Sequence, residues 1–344
     1  MGKILLVFTG GTICSFGDEN NRNRRPDVDR AERLIVNRFR QSGSEYAGTE
    51  FTTVQVMNVL SENMTAETWN TLIAYLRDVD YRAYDGVIIA HGTDTLAYTA
   101  ALLSVMLRGV DCPVILVSSQ LPPDMEGANG NVNFRRSVEL ICTGLPAGVY
   151  AVYRNSDGVV YLHRGDRLRQ CVPYSDDFSS AGMFGVPETM QGSELAPEPV
   201  CSPDGKGGSR YAMLIRRLGE LRNDVLLVKP YVGLRYDRLL LAHVTAIVHE
   251  TYHAQTACAD GMDSVSLLYL LDRCAGEKIP VFVTPMESGD GIYVTGSRIR
   301  EAGGIPLYGM TTEVVYACVM VGTALGLQDR ELKQFVEEYP GVKS

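Results

Sequence analysis

Seven short apolar runs rich in β-branched residues constrain this chain most: Lys3–Phe8, Gly86–Ala90, Pro113–Val117, Gly148–Tyr153, Asp224–Val228, Thr245–His249 and Ile279–Val283. Continuous apolar runs of this length suit strands covered on both faces, as in parallel sheets. Helical patterns lie between them. In 65–78, Trp69, Leu72, Ile73 and Leu76 recur at helical spacing behind Thr65, a ready N-cap. Residues 96–109 and 312–326 are apolar nearly all round and read as buried helices, and a further helix is expected from Asp263 to Gly276. Strands alternating with helices predict an α/β fold: an N-terminal parallel-sheet domain with helices on both faces, plus a smaller C-terminal α/β domain. The Pro-rich, Gly-rich stretch 186–210 breaks the pattern. The expected division is an N-terminal domain over 1–190, a linker over 191–222 and a C-terminal domain over 223–344.

With 344 residues and 45% hydrophobic content, both halves can bury a core. Formal net charge is −9, and the one dense basic patch, Arg22, Arg24 and Arg25, is ringed by Asp18, Glu19 and Asp27. That pattern lacks the basic stripe of a nucleic-acid binder and reads as a mixed surface loop. No nucleic-acid partner and no membrane are therefore expected. No apolar run approaches about 18 residues, and the N-terminus lacks a signal-peptide pattern. The eight Cys show no CxxC spacing and several sit in apolar runs, as expected for reduced thiols in a cytoplasmic protein. No metal site and no cofactor are expected, because neither the His and Cys spacing nor a phosphate loop is present.

Two polar stretches follow predicted strands. Thr9-Gly10-Gly11-Thr12 follows the first, and its glycines let the backbone turn sharply and approach a ligand. His91-Gly92-Thr93-Asp94-Thr95 follows the strand Gly86–Ala90. Both should lie at the carboxyl edge of a sheet, where open α/β sheets bind ligands. Helix capping accounts for one polar residue in the second stretch, but not for the whole set. A hydroxyl beside a carboxylate can hold or activate a water, and a weak nucleophile such as Thr12 needs such a partner.

The paired TGGTI and HGTDT signatures resemble those of the bacterial-type L-asparaginase/glutaminase family. "LSENMTAETW" (60–69), "PVILVSSQLPPDMEGANGNVN" (113–133) and "GMTTEVV" (309–315) resemble further family segments, with Asn129 where the family has Asp. The resemblance is strong over 4–13 and 84–134 and thin over 14–50 and 155–300. It implies amide hydrolysis through an acyl-enzyme. Thr12 would be the nucleophile, and Thr93 and Asp94 would belong to a second Thr-Lys-Asp triad. Gly11, Ser61, Glu62 and Gly92 would bind substrate, with backbone N–H groups near Thr12 and Thr93 as oxyanion donors. It also implies a small-molecule amide or amino acid as the partner, and a homo-oligomer, a dimer or tetramer.

Three departures accompany it. The triad Lys position is Gln170, which cannot take a proton at neutral pH. The loop 14–30 lacks the family's activating Tyr. The segment 249–261 carries Tyr252, His253 and Gln255 where many relatives are Gly-rich. Two readings stay open. One is an amidohydrolase in which another group, such as His253, supplies acid/base help. The other is an impaired site that binds a small acidic amino acid or related metabolite. A surface histidine is the plainer account of His253.

Overall fold

The computed structural model describes residues 2–17, 24–180, 184–185, 214–286 and 293–339. Most of the expected linker, and Arg22 of the basic patch, lie outside them. The chain forms two compact units, Met1–Arg217 and Leu218–Ser344.

The first unit is built on a seven-stranded sheet in the order Phe184–Gly185, Val160–Arg164, Gly148–Arg154, Pro113–Val117, Gly86–Ala90, Lys3–Gly10 and Glu50–Val59. The last five are parallel, while Val160–Arg164 and Phe184–Gly185 add antiparallel strands at the far edge. Numbered in chain order, the five parallel strands run 2-1-3-4-5. The order reverses between Lys3–Gly10 and Gly86–Ala90, and it is outside the carboxyl ends of strands at such a switch point that open α/β sheets form a ligand crevice.

The alternation of side chains along a strand divides the core between the two faces. Ile4, Leu6, Phe8, Ile88 and Ile115 join one buried cluster with Ala31, Ile35 and Phe39 of helix Val28–Arg40 and Phe134 and Val138 of helix Gly130–Cys142. Leu5, Val7, Val87, Ile89, Val114 and Leu116, on the opposite face, are also buried. Helix Ala66–Arg77 starts at a full capping box between Thr65 and Thr68, which satisfies two otherwise unpaired N–H groups. Helix Leu96–Met106 is buried almost all round.

The second unit holds four parallel strands in sequential order: Val225–Val228, Ala246–Glu250, Val281–Met286 and Ile305–Tyr308. Its core packs Val228, Ile247, Val281 and Val283 against Leu267, Leu270 and Cys274 of helix Leu267–Glu277. That helix begins at Ser266, whose hydroxyl accepts from Leu268 N–H, rather than at Asp263. Among the described residues no helix is long and apolar enough to cross a membrane.

Candidate functional site

The crevice brings three sequence segments together. Gly11 has φ 77°, a conformation that only glycine adopts freely. A methyl group added to it would overlap the backbone N and Cα of Gly92. One added to Gly92 would in turn overlap the Ser61 side chain. Thr9-Gly-Gly-Thr12, His91-Gly-Thr-Asp-Thr95 and the turn at Ser61 therefore meet with no room for side chains between them.

Thr12 opens a short 3-10 turn, Thr12–Cys14, and is half-buried. The Gly11 carbonyl holds that turn by accepting from Cys14 N–H at 3.0 Å and Ser15 Oγ at 2.8 Å. Gly11 N–H donates to Val59 O at 3.0 Å. That donor is committed to the sheet, and the contribution of Gly11 is the close backbone approach. Two residues past Thr12, burial pushes the Cys14 thiol up to about 12, so it is no competing nucleophile.

Thr93 is half-buried and Asp94 is exposed. Ser61 clamps the second residue from both sides: its Oγ donates to Asp94 Oδ2 at 3.0 Å and accepts from Asp94 N–H at 3.2 Å. Its backbone carbonyl accepts from Thr95 Oγ1 at 2.9 Å. The Ser61 hydroxyl thus spends its single hydrogen on Asp94. Glu62, beside it, is exposed. Gln170 Nε2 donates to the backbone carbonyl of Asp94. The residue expected at the triad Lys position therefore reaches Asp94 as a neutral amide.

A buried polar chain behind the site was not foreseen from sequence. His91 Nδ1 lies 2.8 Å from Gly92 O, an acceptor only, so Nδ1 carries the hydrogen. Nε2 then accepts from Thr99 Oγ1 at 3.0 Å, and Thr99 Oγ1 accepts from Trp69 Nε1 at 3.0 Å. Trp69, read from sequence as part of the apolar stripe of its helix, orients the chain. Burial lowers His91 to about 4, so it is neutral throughout the physiological range. The signal was a polar Thr99 inside an apolar helix and an indole that needs an acceptor.

His253 lies in the second unit, exposed on a turn closed by Gln255 N–H on Tyr252 O at 2.8 Å. Among the described residues no group of three or more His, Cys, Asp or Glu could hold a metal ion.

A parallel sheet whose switch point presents two threonines, a carboxylate and abutting glycines defines an α/β protein. The chain belongs to the asparaginase family: the family's N-terminal domain, "Asparaginase, N-terminal", matches residues 3–193. It is 26% identical over 343 residues to a glutamyl-tRNA(Gln) amidotransferase subunit of Metallosphaera sedula, covering 94% of this chain and 72% of that one. The corresponding subunit from Aeropyrum pernix is 28% identical over 337 residues, covering 92% and 73%. Among solved structures, the thermostable L-asparaginase from Thermococcus kodakarensis superposes with a TM-score of 0.73 at 24% identity, covering 98% of this chain and 96% of that one. L-asparaginase I from Vibrio cholerae gives 0.71 at 20% identity, covering 98% and 97%. These likenesses confirm the α/β fold expected from sequence.

They also correct the expected partners. The reading of small-molecule partners alone, without nucleic acid, is overturned by relatives whose name ties them to glutamyl-tRNA and makes each a subunit of a larger enzyme. Net charge misled because it reports non-specific attraction to nucleic acid and is silent on a specific complex.

Proposed function

We propose that the chain cleaves a carboxamide to the carboxylate and ammonia through Thr12. The observation that supports this reading is the Gly11–Gly92 backbone contact, which joins the turn carrying Thr12 to the turn carrying Thr93 and Asp94. Thr12 Oγ1 attacks the amide carbon, forming a C–O bond, while its proton goes to the departing nitrogen. Backbone N–H groups about Thr12 and Thr93 hold the developing oxyanion, an effect typically worth about 3 kcal/mol per donor. Water held by Thr93 and Asp94 then cleaves the acyl-enzyme and restores the hydroxyl. The relatives' name, an amidotransferase, is in keeping with release of an amide nitrogen as the opening step.

The test is ammonia release from Asn, Gln and related amides, wild type against Thr12→Ala. Release abolished by that substitution is expected, and no release above the variant's background on any amide overturns the reading. One observation favours a second reading, in which the site binds a small acidic amino acid without turnover. Gln170, at Asp94, offers no titratable group. Thermal stabilisation by Asp or Glu with no turnover of any amide would select it.

A further inference from the structure

Gln170, at the Asp94 carbonyl, opens a segment that leads away from the crevice into a groove of about 480 Å³. Its walls include Gln120, Arg154, Ser156, Tyr174, Asp176 and Asp177. Gln120 follows strand Pro113–Val117 and Arg154 ends strand Gly148–Arg154, the next two strands beyond Gly86–Ala90. The groove therefore continues the same carboxyl edge, roughly 5–10 Å from strand Gly86–Ala90 in the hydrogen-bonding direction. The intervening wall is close-packed. A methyl group on Gly130 would overlap Ser119, and Ile13, the neighbour of Thr12, lies 3.5 Å from the same point.

The groove is held in shape. Asp177 accepts from Ser156 N–H at 2.6 Å and Ser156 Oγ at 2.7 Å. Asn155 Nδ2 donates to Phe178 O at 3.0 Å, and its Oδ1 accepts from Phe178 N–H at 3.1 Å. Cys171 Sγ donates to Asp177 O at 3.3 Å. Within this braced segment Tyr174 has φ 63° and a fully exposed ring. A bulky residue held in the left-handed region is the kind of outlier that marks functional sites. The groove's volume falls in the range of small-ligand sites, about 300–1,000 Å³.

Its chemistry is mixed. Arg154, braced by Gly127 O at 3.2 Å, supplies a cation, exposed Asp176 an anion, Gln120 an amide and Tyr174 an aromatic face. A phosphate chain would meet the carboxylates of Asp176 and Asp177. A peptide offers the complement: amide donors and acceptors, terminal groups of opposite charge, and side chains that stack on a ring. We propose that this groove is a subsite for a peptide-linked substrate, in which the carboxamide at Thr12 belongs to an Asn or Gln residue and the neighbouring residue rests on Tyr174. The proposal rests on the amidohydrolase reading for the chemistry, but not for the binding.

Binding of Asn, Gly-Asn and Asn-Gly to the Thr12→Ala protein, measured by calorimetry, tests it without turnover. At least one dipeptide should bind about tenfold tighter than Asn, and Tyr174→Ala or Asp176→Asn should remove that advantage while leaving Asn affinity unchanged. Equal affinities, no binding of any of the three, or variants that weaken all three alike overturn the subsite. Wild-type turnover measured in parallel keeps the two ideas apart. Hydrolysis of Asn but not of either dipeptide overturns the subsite and leaves the amidohydrolase reading standing. Dipeptide binding that depends on Tyr174, without turnover of any amide, supports the subsite and overturns the amidohydrolase reading.

Discussion

Gly11 and Gly92 touch backbone to backbone, and neither position has space for a methyl group. This contact seats the first threonine beside the second motif. Gly92→Ala should force Ser61 away and lower stability by about 1–3 kcal/mol, the usual effect of overpacking. Gly11→Ala should lose more, because it also places a side chain at positive φ. Thermal melting and ammonia release should fall together, with Tm dropping about 2–4 °C per kcal/mol for a unit of this size. A Gly11→Ala protein with unaltered Tm and activity would show that the close approach is dispensable.

Gln170 stands where an ionisable amine would serve a proton-transfer role. Gln170→Lys should keep the donor on the Asp94 carbonyl and add a group that titrates. We expect kcat to rise by at least about tenfold toward alkaline pH, within the span of general acid–base effects. A flat pH–rate profile, unchanged from wild type, would show that proton transfer by this side chain does not limit turnover.

Thr99 donates to His91 and accepts from Trp69. Thr99→Val preserves shape and strands both partners in the interior. Each stranded group should lower stability by about 1–3 kcal/mol, read as a shift in denaturant midpoint. Adding Trp69→Phe should recover part of the loss, since it removes one of the orphans. Strict additivity of the two substitutions would refute the chain as drawn.

Burial lowers His91 and His163 in the first unit to about 4 from the ordinary 6.5. The unfolded chain binds their protons first as pH falls, so stability is full above about 6.5 and declines down to about 4. At pH 5 each should have lost about 2 kcal/mol. His249 in the second unit, also lowered to about 4, should give that unit the same dependence. Denaturation midpoints measured from pH 7.5 to 4.5 check this, and His163→Gln should flatten the curve. Stability that rises on acidification over that window would contradict the assignment.

The parallel strands were legible because burial on both faces writes a continuous apolar run. Gly86–Ala90 and Pro113–Val117 emerge at the boundaries read from sequence. Glu50–Val59 was hidden for the opposite reason: it lies at the sheet's edge, and its half-exposed residues mix polar and apolar types. Helix Val28–Arg40 was missed although it is strongly amphipathic, because four Arg dilute its apolar stripe. In the site, the types and edge positions of Thr12, Thr93 and Asp94 could be read, since motifs after strands announce themselves. The reciprocal Ser61–Asp94 bonds could not, because they join residues whose proximity only the folded sheet creates.

The switch-point crevice has a kinetic corollary. Its parts come from the strand ends at Gly10 and Ala90 and from a segment as distant as Gln170, joined by parallel pairings that local structure cannot nucleate. Such long-range closures form slowly and as a set. No fragment ending before residue 170 holds the whole arrangement. Recovery of ligand binding during refolding should therefore lag behind the return of helix signal, and it reports the moment at which the first unit becomes native.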